Sequence, residues 1–99
     1  MLFMVVERFP PGALERVGAR FRERGRLLPE GVTYAASWVE TAGGRCFQVM
    51  EAPDRAALDA WIARWSDLVD FEVYEVLASA DFWRARDASA GGRAPDRPA

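Results

Sequence analysis

Apolar residues follow two different rhythms along this chain, and the alternation between them predicts its elements. Leu2 to Phe9 is β-rich and stops at Pro10-Pro11-Gly12, a turn that also suits the start of a helix. Leu14, Val17, Gly18, Phe21, Gly25 and Leu28 then recur at helical spacing, with Arg16, Arg20, Glu23 and Arg24 opposite. Gly25 is the expected C-cap and Pro29-Glu30-Gly31 the break after it. Val32 to Glu40 returns to a period of two, and Thr41-Ala42-Gly43-Gly44 reads as a hairpin turn into Arg45–Glu51. Asp54 is a good N-cap for a second helix whose stripe is Leu58, Trp61, Ile62 and Trp65. Phe71 to Leu77 is the last strand.

The order is β-α-β-β-α-β, the split βαβ arrangement. Right-handed crossovers turn it into an α+β fold: a four-stranded antiparallel sheet with both helices on one face. The expected domain is residues 1–78. A short C-terminal turn or helix over 79–87 follows, then a disordered tail over 88–99, rich in Gly, Pro, Arg and Ala.

Alternation then poses a problem at the sheet. A tight hairpin puts Tyr34, Ala36 and Trp38 on one face with Phe47 and Val49, and Ser37 and Val39 on the other with Cys46, Gln48 and Met50. Phe3 and Val5 oppose Leu2, Met4 and Val6 on the first strand, and Phe71 and Val73 oppose Tyr74 and Val76 on the last. Whichever face the helices cover, sizeable apolar side chains remain on the other. At about 1.5–3 kcal/mol for each buried side chain, burial worth on the order of 10 kcal/mol is left unused. That is comparable with the whole stability of a domain. Such a patch marks an interface, and a homodimer packing its sheets through the open face is the expectation.

Composition changes the picture mainly by exclusion. Ninety-nine residues suit one domain, and the net charge of −2 gives no reason to expect nucleic acid or an anionic membrane surface. All 13 basic residues are Arg, which reads as a coding preference rather than a phosphate site. There is no His, the commonest general base and metal ligand, and one Cys makes neither an internal disulfide nor a Cys-rich zinc site. No metal and no cofactor are therefore expected. The apolar run Met1–Val6 meets Glu7 and Arg8 too soon for a signal peptide, and nothing approaches a membrane span, so the expected location is cytoplasmic.

Several blocks together resemble a small bacterial family, domain of unknown function 3303. They are Met1-Leu2-Phe3-Met4-Val5, Arg20-Phe21-Arg22-Glu23-Arg24-Gly25-Arg26, Leu28-Pro29-Glu30-Gly31 and Ser37-Trp38-Val39. Arg45-Cys46-Phe47-Gln48-Val49-Met50-Glu51, Trp61-Ile62-Ala63-Arg64-Trp65 and Phe71-Glu72-Val73 continue the match, which covers Met1 to Ser79. The resemblance implies a ferredoxin-like fold of the dimeric α+β barrel group. That group includes cofactor-free oxygenases and isomerases as well as proteins with no known reaction, and its His-dependent chemistries do not carry over to this chain.

Two uses of the residues compete, with a purely structural or protein-interaction module behind them. In the first, the dimer binds a small, mostly apolar ligand in the barrel interior or cleft. Thr33, Ala35, Ser37 and Cys46 leave room there, Gln48 orients the ligand by hydrogen bonds, and Tyr34 and Trp38 offer aromatic faces. In the second, the chain is a cofactor-independent monooxygenase- or isomerase-like enzyme. Glu7 or Glu51 then takes a proton, and Gln48 or Arg45 stabilises the oxyanion. Each residue also has a plainer reading. Cys46 is a small buried hydrophobe, Glu7 and Glu51 are strand-end charges, Gln48 bonds Ser37 or a partner copy, and the aromatics are core or interface. Arg20, Arg22, Arg24 and Arg26 read as a solvated helix face, with Arg24 or Arg26 within reach of an acidic group.

Overall fold

The computed structural model describes residues 1–89. Its elements run β1 (Leu2–Arg8), α1 (Ala13–Arg24), β2 (Thr33–Val39), β3 (Arg45–Glu51), α2 (Arg55–Ile62), β4 (Asp70–Val76) and α3 (Ser79–Ser89). The sheet order is β2-β3-β1-β4 with every neighbouring pair antiparallel, which is the ferredoxin-like arrangement.

The predicted punctuation accounts for the boundaries. Gly12 takes φ 79°, which lets the chain turn from β1 into α1, and Gly25 ends that helix with its N–H donating to the Phe21 carbonyl. Asp54 accepts from the Ala57 N–H at 2.8 Å and starts α2. Regular helix ends at Ile62, but the chain continues in tight turns through Trp65, which stays buried as the stripe requires. Helix α3 runs to Ser89, two residues beyond the expected end at 87, and the tail expected from 90 onward lies outside the described residues.

The register decides which face the helices cover. Phe3 opposes Met50, and Val5 lies between Gln48 and Val73. On this face Phe3, Val5 and Met50 join Leu58, Trp61 and Trp65 in the core, each at most 5 % exposed. At about 1.5–3 kcal/mol per fully buried side chain, this cluster is the main source of stability. Arg20 fastens α1 to the turns after α2, with two hydrogen bonds to the Asp67 carboxylate at 2.8 and 2.6 Å.

The opposite face carries Leu2, Met4, Val6, Trp38, Phe47, Val49 and Tyr74. Trp38 is 60 % exposed and Tyr74 52 %.

One expectation about the faces is corrected. A β-bulge lies between Tyr34 and Ala36, so Tyr34 pairs with Met50 while Ala36 still pairs with Val49. The extra residue reverses the alternation, as bulges do. Tyr34 therefore shares the helix-covered face with Ser37, whose hydroxyl it meets at 2.8 Å, and not the face of Trp38.

Candidate functional site

The helix-covered face changes character along β1 and β3 in three successive cross-strand pairs. Phe3 with Met50 is wholly apolar, Val5 with Gln48 is half polar, and Glu7 with Cys46 is polar on both sides. These are alternate residues of two paired strands, so they point the same way under the helices. The apolar pair is covered by the α2 cluster. Beyond it, between the polar pairs and α1, lies a half-open cavity of about 310 Å³.

Its floor is Glu7, Ser37, Cys46 and Gln48, with Val39 at the edge. Leu14, Val17, Gly18 and Phe21 of α1 form one wall, Trp61 and Trp65 another, and Arg22 and Arg26 are its cationic residues. Gly18 keeps the α1 wall thin. A Cβ placed there would meet only the Arg22 guanidinium, at 3.4 Å, so the sheet does not forbid a larger residue. A mid-helix Gly costs about 1 kcal/mol relative to Ala, and here that cost coincides with open space.

Charge and hydrogen bonding at the floor are unbalanced. Glu7 is 8 % exposed, and burial raises its carboxyl above the ordinary carboxylate value. Hydrogen bonds from the Gln48 amide and the Cys46 thiol, and the field of Arg26, act the other way without cancelling burial. The Cys46 thiol is pushed up to about 12, first by burial and then by the neighbouring Glu7 charge, so at neutral pH it is a neutral donor and a poor nucleophile. Gln48 is 4 % exposed, and its Oε1 has no hydrogen-bond partner among the described residues. Ser37 sits directly opposite Gln48 but bonds Tyr34 instead. A buried carbonyl oxygen left without a donor is unfavourable, typically by about 1–3 kcal/mol.

The sequence-predicted residues divide cleanly. Glu7, Ser37, Cys46 and Gln48 meet at the cavity, and Tyr34 lies behind Ser37. Trp38 lies on the open face. Arg45 shares that face, where it grips Glu40 through two 2.9 Å hydrogen bonds and lies 5.1 Å from the centroid of Phe47. Glu51 is exposed beside Leu2 and Thr33, at the other end of β3 from Cys46. Ala35 and Thr33 are exposed and do not line this cavity.

The α1 wall and Arg22 were not anticipated, although Gly18 inside an otherwise regular apolar stripe was the available sign. Trp61 and Trp65, read as core, do more than fill space. Both indole N–H groups donate to the Arg26 carbonyl, at 3.0 and 2.9 Å. Among the described residues no group of three or more His, Cys, Asp or Glu side chains could hold a metal ion. No helix among them is long and apolar enough to cross a membrane.

Comparison with known proteins gives a family and distant shapes. The family described as Domain of unknown function (DUF3303) matches residues 1–89, ten residues beyond the Ser79 at which the resemblance read from the sequence ends. Rv0793 from Mycobacterium tuberculosis is similar in structure, at 20 % identity and a TM-score of 0.49, over 81 % of this chain and 99 % of that one. MupZ from Pseudomonas fluorescens is similar at 20 % identity and a TM-score of 0.42, over 91 % of this chain and 83 % of that one. No curated protein matches the chain.

Proposed function

The chain belongs to the family described as Domain of unknown function (DUF3303), and from its own cavity we propose that it is a homodimeric small-molecule-binding protein. The ligand is small and mostly apolar, enters between α1 and the sheet, and carries one hydrogen-bond donor for Gln48. The observation that carries this reading is the partnerless Gln48 Oε1, buried at the floor of a cavity with aromatic and aliphatic walls. Pockets of this make-up, apolar with a few convergent polar groups, are where small ligands bind. A donor brought in by the ligand satisfies the oxygen that the protein leaves unmatched, once the carboxamide turns that enclosed atom towards the cavity. The open apolar sheet face supports the dimer, since a monomer rarely leaves such a surface wet.

A panel of phenols and hydroxylated polycyclic compounds, screened by thermal shift, tests the reading. At about 100 times Kd a ligand adds about 2.7 kcal/mol, a rise of roughly 10–20 °C in Tm for a domain of this size. Hits are expected to stabilise the wild type and not Gly18→Leu, whose side chain fills the cavity from α1. A panel with no hits, or hits equally effective on Gly18→Leu, removes the proposal. Light scattering is expected to give twice the chain mass for the wild type and one chain mass for Phe47→Glu.

Burial of Glu7 favours a second reading. A carboxylate raised by burial above its ordinary value inside a cavity suits a general base, removing a proton from a carbon acid without a cofactor. Turnover lost in Glu7→Gln with binding kept marks an enzyme, whereas affinity lost in Gln48→Leu with no turnover in the wild type marks a binder.

A further inference from the structure

Among the described residues some arginines meet a carboxylate and others, Arg16, Arg24, Arg64 and Arg86 among them, do not. Arg8, Arg20, Arg45, Arg55 and Arg84 each meet a carboxylate at 2.6–2.9 Å. The two that line the cavity, Arg22 and Arg26, have no carboxylate at ion-pair distance among the described residues. Arg26 is held in place instead. Its guanidinium lies 3.4 Å from the centroid of the Tyr34 ring and 5.2 Å from that of Phe21. Its backbone carbonyl takes both indole N–H groups, and the next residue, Leu27, adopts a left-handed φ of 59° that a branched side chain ordinarily avoids. Two tryptophans therefore fix the backbone at Arg26 and the Tyr34 and Phe21 rings seat its guanidinium, while its fork of donors stays open.

Charge on the cavity follows from its lining. Two guanidiniums face one carboxyl, Glu7, so the cavity is net positive whichever state Glu7 takes, within a chain of net charge −2. The cationic residues come from α1 and the loop after it, whereas the orphaned acceptor is on β3, and all three line the same cavity.

We infer that the ligand is an amphipathic organic anion, a hydroxy-substituted aromatic or alicyclic carboxylic acid, held by its carboxylate on Arg26 with Arg22 and by its hydroxyl on Gln48 Oε1. This rests on the ligand-binding reading above and adds the polarity and orientation of what binds. The carboxylate accepts from the guanidinium fork, the ring packs between Phe21, Val17 and the two indoles, and the hydroxyl donates to the carboxamide.

Titration calorimetry with three probes tests it: 6-hydroxy-2-naphthoate, its methyl ester and 2-naphthoate. The hydroxy acid is expected to bind best, with the ester, which loses a charge-assisted bond, weaker by about tenfold or more, and the deoxy acid, which loses a neutral one, weaker by about three- to tenfold. Arg26→Gln should bring the acid down to the ester's affinity and leave the ester unchanged, because the indoles bond a backbone carbonyl that the substitution keeps. Gln48→Leu should erase the advantage of the hydroxyl and keep that of the carboxylate. The inference is overturned if acid and ester bind alike, or if Arg26→Gln weakens both equally. An ester that binds while the acid does not removes the anion alone, whereas failure of all three probes together with the neutral panel removes the ligand reading as well.

Discussion

The layer between the sheet and its helices has a filled half and a hollow half, built on the same two strands. Under α2 the side chains of Phe3, Met50, Leu58 and Trp61 are at most 2 % exposed. Under α1 the floor is Glu7, Cys46 and Gln48, and the helix above buries only Ala13, leaving Leu14 46 % and Phe21 44 % exposed. The strands do not change direction or pairing between the halves; only the side chains do. Two cross-strand steps therefore take the layer from close packing to a cavity with a partly desolvated carboxyl. Stability is concentrated at one end so that the other can stay open, and the open end carries an orphaned acceptor and an elevated carboxyl that a well-packed core would eliminate.

The largest effect that separates the halves is chemical. With its thiol pushed up to about 12, Cys46 should react with iodoacetamide at pH 8 more than about a thousandfold slower than an exposed thiol of ordinary pKa, and at the ordinary rate in urea. Mass spectrometry of quenched time points measures this, and rapid labelling of the native protein would mean that the floor is wet. Stability comes next. Leu58→Ala removes a fully buried side chain from the filled half and should cost about 2–5 kcal/mol in urea unfolding. Val17→Ala only widens a cavity already present, and a cost of about 1 kcal/mol or less is expected. Equal losses would erase the distinction between the two halves.

Much of this contrast could be read in the sequence, and the missing part has a definite cause. Period-two and helical spacings located the strands and helices, because side-chain direction follows from backbone geometry alone. They also put Ser37, Cys46 and Gln48 on one face. Strict alternation puts Tyr34 on the wrong face because one extra residue in β2 reverses parity, and neither a Gly nor a Pro marks the bulge. Glu7 read as a strand-end charge in water, since burial of the last positions of a strand depends on what the helices leave uncovered. For Arg26 a place on a solvated helix face, with a reach to an acidic group as the alternative, was all that was legible. Its fixing by two indoles was not, because those bonds join residues separated by 35 and 39 positions. Tertiary contacts of that span leave no local pattern to read.

The smallest expected effect is the most specific to the hollow half. Burial raises Glu7 in the folded protein above its unfolded value, so the fold favours the protonated form. The stability linked to that proton is fully present below the unfolded carboxylate pKa and is lost as pH rises through the folded one. Glu40, Asp67 and Glu72 carry the opposite sign. Hydrogen bonds from Arg45, Arg20 and Tyr74 respectively lead the causes that lower them, so what they contribute is present above their unfolded values and lost on acidification. Those three are at the surface and screened by salt, whereas the cost at Glu7 comes from desolvation and is not. Glu7→Gln should therefore match the wild type near pH 4 and gain on it steadily up to the folded pKa of Glu7. Above that value the difference should become constant. Urea unfolding between pH 4 and 8 in 1 M NaCl isolates this difference, because the salt suppresses the surface pairs and the substitution leaves them alone. A gap that stays flat across the range, or favours the wild type at pH 8, would place an ordinary, hydrated carboxylate at the floor, and the hollow half would then differ from the filled half in shape only.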